Sequence, residues 1–241
     1  MRVGMLSALM LVLVAVVPLV AEEERPLNVP PEGFRALFNG RDLTGWKADQ
    51  RMAEHWKVIE GVLDYLPRAG DLWTEESFGD FTLWTDWRLK TAEELYGTDT
   101  EPDGRPIAYS PDSGIYLRGT SKAQTNIWVN PLGSGEVWGY RTDRNMPEEV
   151  REGVTPRVHA DRPVGEWNRQ KTIMRGDRLT VVLNGETVIE NAQLPGVPER
   201  GPIALQHHGR FNAETGRWEG GPSCVQFRNI FIRCHDSETE D

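Results

Sequence analysis

After residue 30 the chain almost never shows helical periodicity; it runs in short alternating segments bounded by Gly, Asp, Asn and Pro. Alternation with period two sends successive side chains to opposite faces, so a chain written this way is confined to sheet. Phe81 to Leu89 sets Phe81, Leu83, Trp87 and Leu89 against Thr82, Trp84, Asp86 and Arg88. Ile115 and Leu117 oppose Tyr116 and Arg118, Ile127 and Val129 oppose Asn126, Trp128 and Asn130, and Ile203 and Leu205 oppose Gln206 and His208. Two hairpins are legible: Thr172 to Arg175 turns at Gly176-Asp177 into Leu179 to Leu183, which turns at Asn184-Gly185 into Thr187 to Ile189. Asn-Gly is the strongest short hairpin signal, because both turn residues tolerate positive φ. A last strand spans Val225 to Ile232, and Pro147 to Gly153 reads as one short surface helix. About a dozen strands in one domain predict an all-β, two-sheet antiparallel jelly-roll sandwich.

The N-terminus is set apart. Met1-Arg2 is followed by an apolar run from Val3 to Val20, then Ala21 and three glutamates, which reads as a secretory signal peptide over 1–21. An uncleaved anchoring helix is the alternative. The expected organisation is a linker at 22–32, a single β-sandwich domain at 33–236 and an acidic tail at 237–241, in a protein exported to the periplasm or cell exterior. After cleavage no further segment is apolar enough to span a membrane. Cys224 and Cys234 would lie about 33 Å apart on one extended strand, at about 3.3 Å per residue, so two free thiols are expected; a bend near Arg228-Asn229 would instead bring them together. The formal charge of −10, with no basic run, argues against a nucleic-acid partner.

Residues sharing the outward parity are richer than a solvated face requires: Trp84, Asp86 and Arg88; Tyr116 and Arg118; Asn126 and Trp128; Gln206 and His208. Rings and rigid hydrogen-bonding groups on one parity suit a sugar groove, and nine tryptophans supply the stacking surface. Trp46, Trp56, Trp87 and Trp167 read as core, while Trp73 and Trp218 fall in turn-rich stretches that the pattern does not place. In Gly133 to Arg141, Glu136, Trp138 and Tyr140 share a parity beside three glycines; the segment is either a carboxylate with stacking rings at the groove or a glycine-rich hairpin with a solvent glutamate. His207 and His208 point oppositely on a strand, so they do not share a metal. No cofactor is evident; a divalent cation, calcium through Asp99 and Asp103-Gly104, stays open.

Phe34 to Trp46, Leu72 to Glu75 leading to Phe78 to Phe81, Asp112 to Arg118, Gly165 to Asn168, Leu183 to Gly185, Gly201 to Gly209 and Phe227 to Ile230 resemble the 3-keto-disaccharide hydrolase domain family. The resemblance implies a concanavalin A-like lectin/glucanase sandwich, an exported bacterial protein and cleavage of 3-keto-glycosides at a groove on the concave sheet. Where many members carry Glu-x-Gln on a groove strand, this chain has Gln124-Thr125-Asn126. A ketone at C3 acidifies the C2 hydrogen, so a base removes it, the C1 oxygen leaves, and water adds back; two glycosidase carboxylates are not needed. The expected assignment has His208 or Glu136 as base or acid, Arg118 or Arg88 at the ketone, and Asp86 orienting that arginine. Tyr116, Asn126, Trp128, Trp84, Gln206, Trp138 and Tyr140 would hold the sugar. The alternative is a lectin-like carbohydrate-binding module without catalysis.

Overall fold

A computed structural model describes residues 26–65, 70–96, 111–208, 210–212, 217–219 and 224–235. The signal segment, Asp99, Asp103-Gly104, the acidic tail and the side chain of Trp218 lie outside the described residues. The strands are β1 (Arg35–Ala36), β2 (Trp56–Ile59), β3 (Val62–Tyr65), β4 (Leu72–Phe78), β5 (Phe81–Leu89), β6 (Asp112–Leu117), β7 (Thr120–Trp128), β8 (Asn168–Arg175), β9 (Arg178–Leu183), β10 (Glu186–Gln193), β11 (Gly201–Leu205), β12 (Arg210–Asn212), β13 (Arg217–Glu219) and β14 (Val225–Cys234). The expectation of a single short helix is corrected. Four occur among the described residues: α1 (Gln50–His55), α2 (Ala92–Tyr96), α3 (Trp138–Arg141) and α4 (Glu148–Gly153). The last matches the expected one.

The strands form two antiparallel sheets. The larger runs β10-β9-β8-β5-β14-β3-β2 with β1 beside β14; the smaller runs β4-β11-β6-β7; β12 and β13 form a separate hairpin. Phe81, Leu83, Trp87 and Leu89 of the larger sheet share one buried core with Ile115, Leu117, Ile127, Ile203 and Leu205 of the smaller. This is the all-β sandwich the alternation predicts. It also means that the opposite parities of the two sheets face away from each other. Asn184-Gly185 turns with φ of 53° and 93°, as a two-residue hairpin requires. No disulfide joins the two cysteines: Cys224 is buried just before β14 and Cys234 is exposed at its end.

β14 carries a bulge between Arg228 and Phe231, where Asn229 sits at φ 51°. The extra residue flips the strand's parity: Val225 and Phe227 enter the core before it, Ile230 and Ile232 after it. Asn28, also at positive φ, locks this bulge, since each asparagine's side-chain oxygen accepts the other's backbone N–H at 2.8 Å.

Between the sheets lies a buried polar bridge. Trp87 Nε1 donates to Gln170 Oε1 (3.2 Å), and Gln170 Nε2 donates to Thr125 Oγ1 and Thr172 Oγ1, both at 3.0 Å. Gln170 is fully buried, so each group would stay unpaired without the others. Thr125 is thereby held inward on β7. Its neighbours Gln124 and Asn126 must then face out.

Arg118 departs from the expected alternation. It is not a strand residue but, with Gly119, the two-residue turn joining β6 to β7, at φ 50° and 76°. Its guanidinium is buried at one end of the sandwich. It donates to the carbonyls of Gly79 (2.8 Å), Gly176 (2.6 Å) and Pro198 (3.2 Å) and to Asp80 (2.7 Å). These bonds tie three loops together, and Arg118 lines a recess formed by those loops rather than the outer face of the smaller sheet.

Gln170→Ala is expected to lower stability by about 3 kcal/mol, from a cavity plus orphaned buried donors. That corresponds to a melting temperature about 6–12 °C lower, read by circular dichroism. Arg118→Met is expected to cost about 2–3 kcal/mol through the uncapped carbonyls, read by the same melts.

Candidate active site

The outer face of the smaller sheet carries a groove of about 600 Å³, lined by Asp112, Tyr116, Ser121, Lys122, Gln124, Asn126, Trp128, Trp138, Gly139, Gln206 and His208. Register builds it. Antiparallel pairing sets Asp112 opposite Trp128, Gly114 opposite Asn126 and Tyr116 opposite Gln124, with Ala204 of β11 beside Tyr116. Gly114 is the low point of the floor. A Cβ there would fall 2.2 Å from Gln124 Nε2, so only glycine lets the Gln124 amide lie across β6. That amide reaches Gln206 Oε1 at 2.5 Å and the Ser113 carbonyl at 3.3 Å. Gln206 is fixed in turn, its backbone N–H donating to the Gly114 carbonyl (2.8 Å) and its carbonyl accepting from Ser113 Oγ (2.9 Å).

Two acid–base groups meet at one end of this floor. His208 Nε2 lies 3.5 Å from Asp112 Oδ2, each side chain partly open to solvent. Burial raises the Asp112 pKa above the ordinary 3.8, and the His208 charge opposes that rise. Tyr116 is pushed up to about 12, chiefly by burial and then by the nearby Asp71 and Asp112 charges, against a hydrogen bond with Gln206. At neutral pH its phenol therefore keeps its proton. Its ring packs against Trp73, with centroids 5.7 Å apart. The ring of Trp128 is steered by Nε1 donating to the Gly133 carbonyl (3.2 Å). Across the groove Trp138 is 53% exposed, an open ring at the rim. Lys122 supplies the cation, paired with Asp143 at 2.7 Å and 4.9 Å from the Tyr140 ring centroid.

The expected site residues thus divide. His208, Tyr116, Asn126, Trp128, Gln206 and Trp138 come together here. Trp84, Asp86 and Arg88 do not: their parity is outward, but on the larger sheet, whose outer face points the other way. Trp84 is stacked on Phe34 (5.2 Å) and flanked by Arg169 and Lys171. Arg88 is committed to Gln226, the Gly165 carbonyl and Glu94. Arg118 is the buried turn residue described above.

The segment after Gly133 is no strand, which breaks its supposed parity. Glycines at φ 84° and 96° turn the chain, and α3 then separates Trp138 outward from Tyr140 inward, the latter in the core. Glu136 is fully buried, ion-paired with Arg141, and leaves Oε2 without a hydrogen-bond partner among the described residues. It does not line the groove. Trp167, expected in the core, is half-buried on the outer face of the larger sheet, under Arg228. Asp112, Gln124 and Lys122 line the groove without having been among the expected site residues. The parity of Asp112 with Gly114 and Tyr116, and of Lys122 and Gln124 with Asn126, was the available signal. Among the described residues no group of three or more His, Cys, Asp or Glu side chains is placed to hold a metal ion.

Solved structures share this architecture. A candidate glycosyl hydrolase from Parabacteroides distasonis superposes with a TM-score of 0.59 at 19% identity, covering 88% of this chain and 100% of the other. A second from the same organism gives 0.55 at 24% identity, covering 85% of each. At these identities the likeness speaks for the fold alone. Among curated proteins none matches. The family model for the 3-keto-alpha-glucoside-1,2-lyase-like domain matches residues 33–233, nearly the whole described chain, and the protein belongs to that family.

Proposed function

We propose that the protein cleaves 3-keto-glycosides at the groove of the smaller sheet, by proton abstraction at C2, loss of the C1 oxygen and addition of water. Family membership supports a carbohydrate-active role. The observation that carries the finer reading is the Asp112–His208 pair, 3.5 Å apart, at the end of an amide-lined groove between two tryptophans. In this reading His208 takes the C2 proton, and the electron pair passes through the C3 ketone as an enolate. It returns to form C1=C2 as the glycosidic oxygen leaves. The leaving oxygen takes a proton from the water whose hydroxide adds at C1, and His208 returns its proton to C2. Asp112 holds the imidazolium that forms, much as a buried carboxylate steadies a protonated histidine elsewhere. The protonated Tyr116 phenol and the Gln124 amide are donors suited to the enolate oxygen, and Lys122 adds positive charge nearby. Trp128 and Trp138 offer ring faces to the sugar. Export to the periplasm or cell exterior belongs to the same proposal.

A second reading, sugar binding without turnover, is favoured by one observation: the described groove lining holds no arginine to polarise a ketone.

Incubation with 3-keto-trehalose and with 3-keto-glucosides, following sugar release, tests the proposal. His208→Ala and Asp112→Asn are each expected to lower kcat about 10²–10⁴-fold. Wild-type turnover in both variants, or no turnover in the parent protein with retained sugar binding, would overturn it. Gly114→Ala is expected to displace the Gln124 amide from Gln206 and raise KM about five- to tenfold, since one charge-neutral hydrogen bond at a buried site is worth about 1–1.5 kcal/mol. Asp112→Asn carries a second signature. A raised folded-state pKa means the folded protein binds that proton more tightly, so its stabilisation is present at low pH. It is lost as pH climbs from the ordinary 3.8 through the raised value. Asp112→Asn should therefore flatten this pH dependence and melt no lower than the parent at pH 7, which a series of thermal melts from pH 3 to 8 checks.

A further inference from the structure

The outer face of the larger sheet gathers four guanidinium groups, those of Arg88, Arg162, Arg169 and Arg228, around Asp86 and Trp167. Arg162, Arg169 and Arg228 line a recess of about 160 Å³ with Asp86, Trp167 and Asn168. In a chain of net charge −10 this is a local positive excess. The pairing shows where the excess sits. Arg88 is taken by Glu94 at 2.7 Å. Arg169 grips Asp86 with two bonds, Nε to Oδ1 at 2.8 Å and a terminal nitrogen to Oδ2 at 3.1 Å. Asn229 Nδ2 takes Oδ2 as well, at 2.8 Å. Asp86 is buried, and most of its acceptor capacity is committed.

Arg228 is left over. It lies 3.8 Å from Asp86, beyond hydrogen-bond reach, and donates to no described residue. Its Nε is buried without a partner. The guanidinium rests 4.0 Å from the Trp167 ring centroid, which fixes its plane. Burial, with the charges of Arg169 and Arg88, outweighs the attraction of Asp86 and lowers its pKa, so its surroundings as a whole penalise the charge they hold. Arg162 spends one N–H on the Trp167 carbonyl (3.1 Å) and pairs with no described carboxylate. Arg228, over the Trp167 indole, and the exposed Arg162, which holds the Trp167 carbonyl, therefore line one recess with donor capacity that nothing described fills. Unfilled charged donors at a partly buried site are costly, and a planar fork is the group that matches an oxyanion edge.

We propose that this recess binds a single oxyanion group, a sulfate or a carboxylate, through Arg228 and Arg162 beside Trp167. The site is separate from the groove, on the other side of the sandwich, and stands independently of what the groove does.

The test titrates the full chain at constant ionic strength with sodium sulfate, with sodium glucuronate and with glucose, following the indole N–H resonance of Trp167, assigned with Trp167→Phe. Constant ionic strength keeps general screening from imitating binding. A saturable shift with an oxyanion and none with glucose is expected. Arg162→Gln, an exposed position, and Arg228→Gln are each expected to weaken it at least about tenfold, the value of one charge-assisted bond. Stronger binding of glucuronate than sulfate assigns the anion to an acidic sugar; the reverse order assigns it to an inorganic or sulfate-ester oxyanion. No saturable shift with either anion, or a shift that survives both arginine variants, overturns the proposal.

Discussion

The buried amide of Gln170 is the constraint on which both faces of this molecule depend. It lies between the sheets, accepting from Trp87 of β5 and donating to Thr125 of β7 and Thr172 of its own strand. An apolar residue would fill the same space at similar energy. What it would not do is distinguish one register from its neighbour, because a one-residue slip costs an apolar contact little but leaves a buried amide unpaired. With Thr125 pinned inward, Gln124 and Asn126 stand in the groove. With Gln170 pinned inward, Arg169 stands on the opposite outer face, where it meets Asp86. One polar contact thus sets the positions of side chains on two surfaces that never touch.

The groove shows how a sandwich face becomes more than solvated sheet. Gly114 and Ala204 remove side chains from the floor, and the long amides of Gln124 and Gln206 lie in the space this leaves. Each amide is held by backbone as well as by its neighbour, so the donors are oriented in advance of any ligand. The same packing partly buries Asp112 and raises its pKa, an arrangement that gives up stability at neutral pH to keep a carboxyl and an imidazole side by side.

How much of this was legible follows from which rule governed each residue. Strand alternation placed Tyr116, Asn126 and Trp128 on one face, because parity is local and survives into the sheet; Gln206 and His208, just past the end of β11, reach the same groove. Alternation could not say which sheet a strand joins, so Trp84, Asp86 and Arg88 were grouped with residues on the far side of the core. Parity also fails wherever the backbone leaves the extended region. Arg118-Gly119 is a turn at positive φ, Asn229 a bulge, and Trp138 to Arg141 a single helical turn. For the residues this misplaced, Arg118, Glu136 and Tyr140, the short-range signal was the adjacent glycine, Gly119, Gly135 and Gly139. Trp167 was read as core from its flanking turn residues, but its ring serves as a shelf for Arg228 instead.

The departure at Gln124-Thr125-Asn126 takes on a physical sense in this setting. A glutamate in place of Gln124 would put a second carboxylate in the groove that Asp112 already lines, and like charges at close range raise each other's pKa. It would also lack the N–H that now binds Gln206 Oε1 and the Ser113 carbonyl, leaving two acceptors facing an acceptor. The amide at this position is therefore tied to the identities of Gln206 and Asp112, so the three form one unit of the groove. Among the described lining residues Asp112 is the carboxylate, and it is the register of β6 against β7 that sets it in the groove.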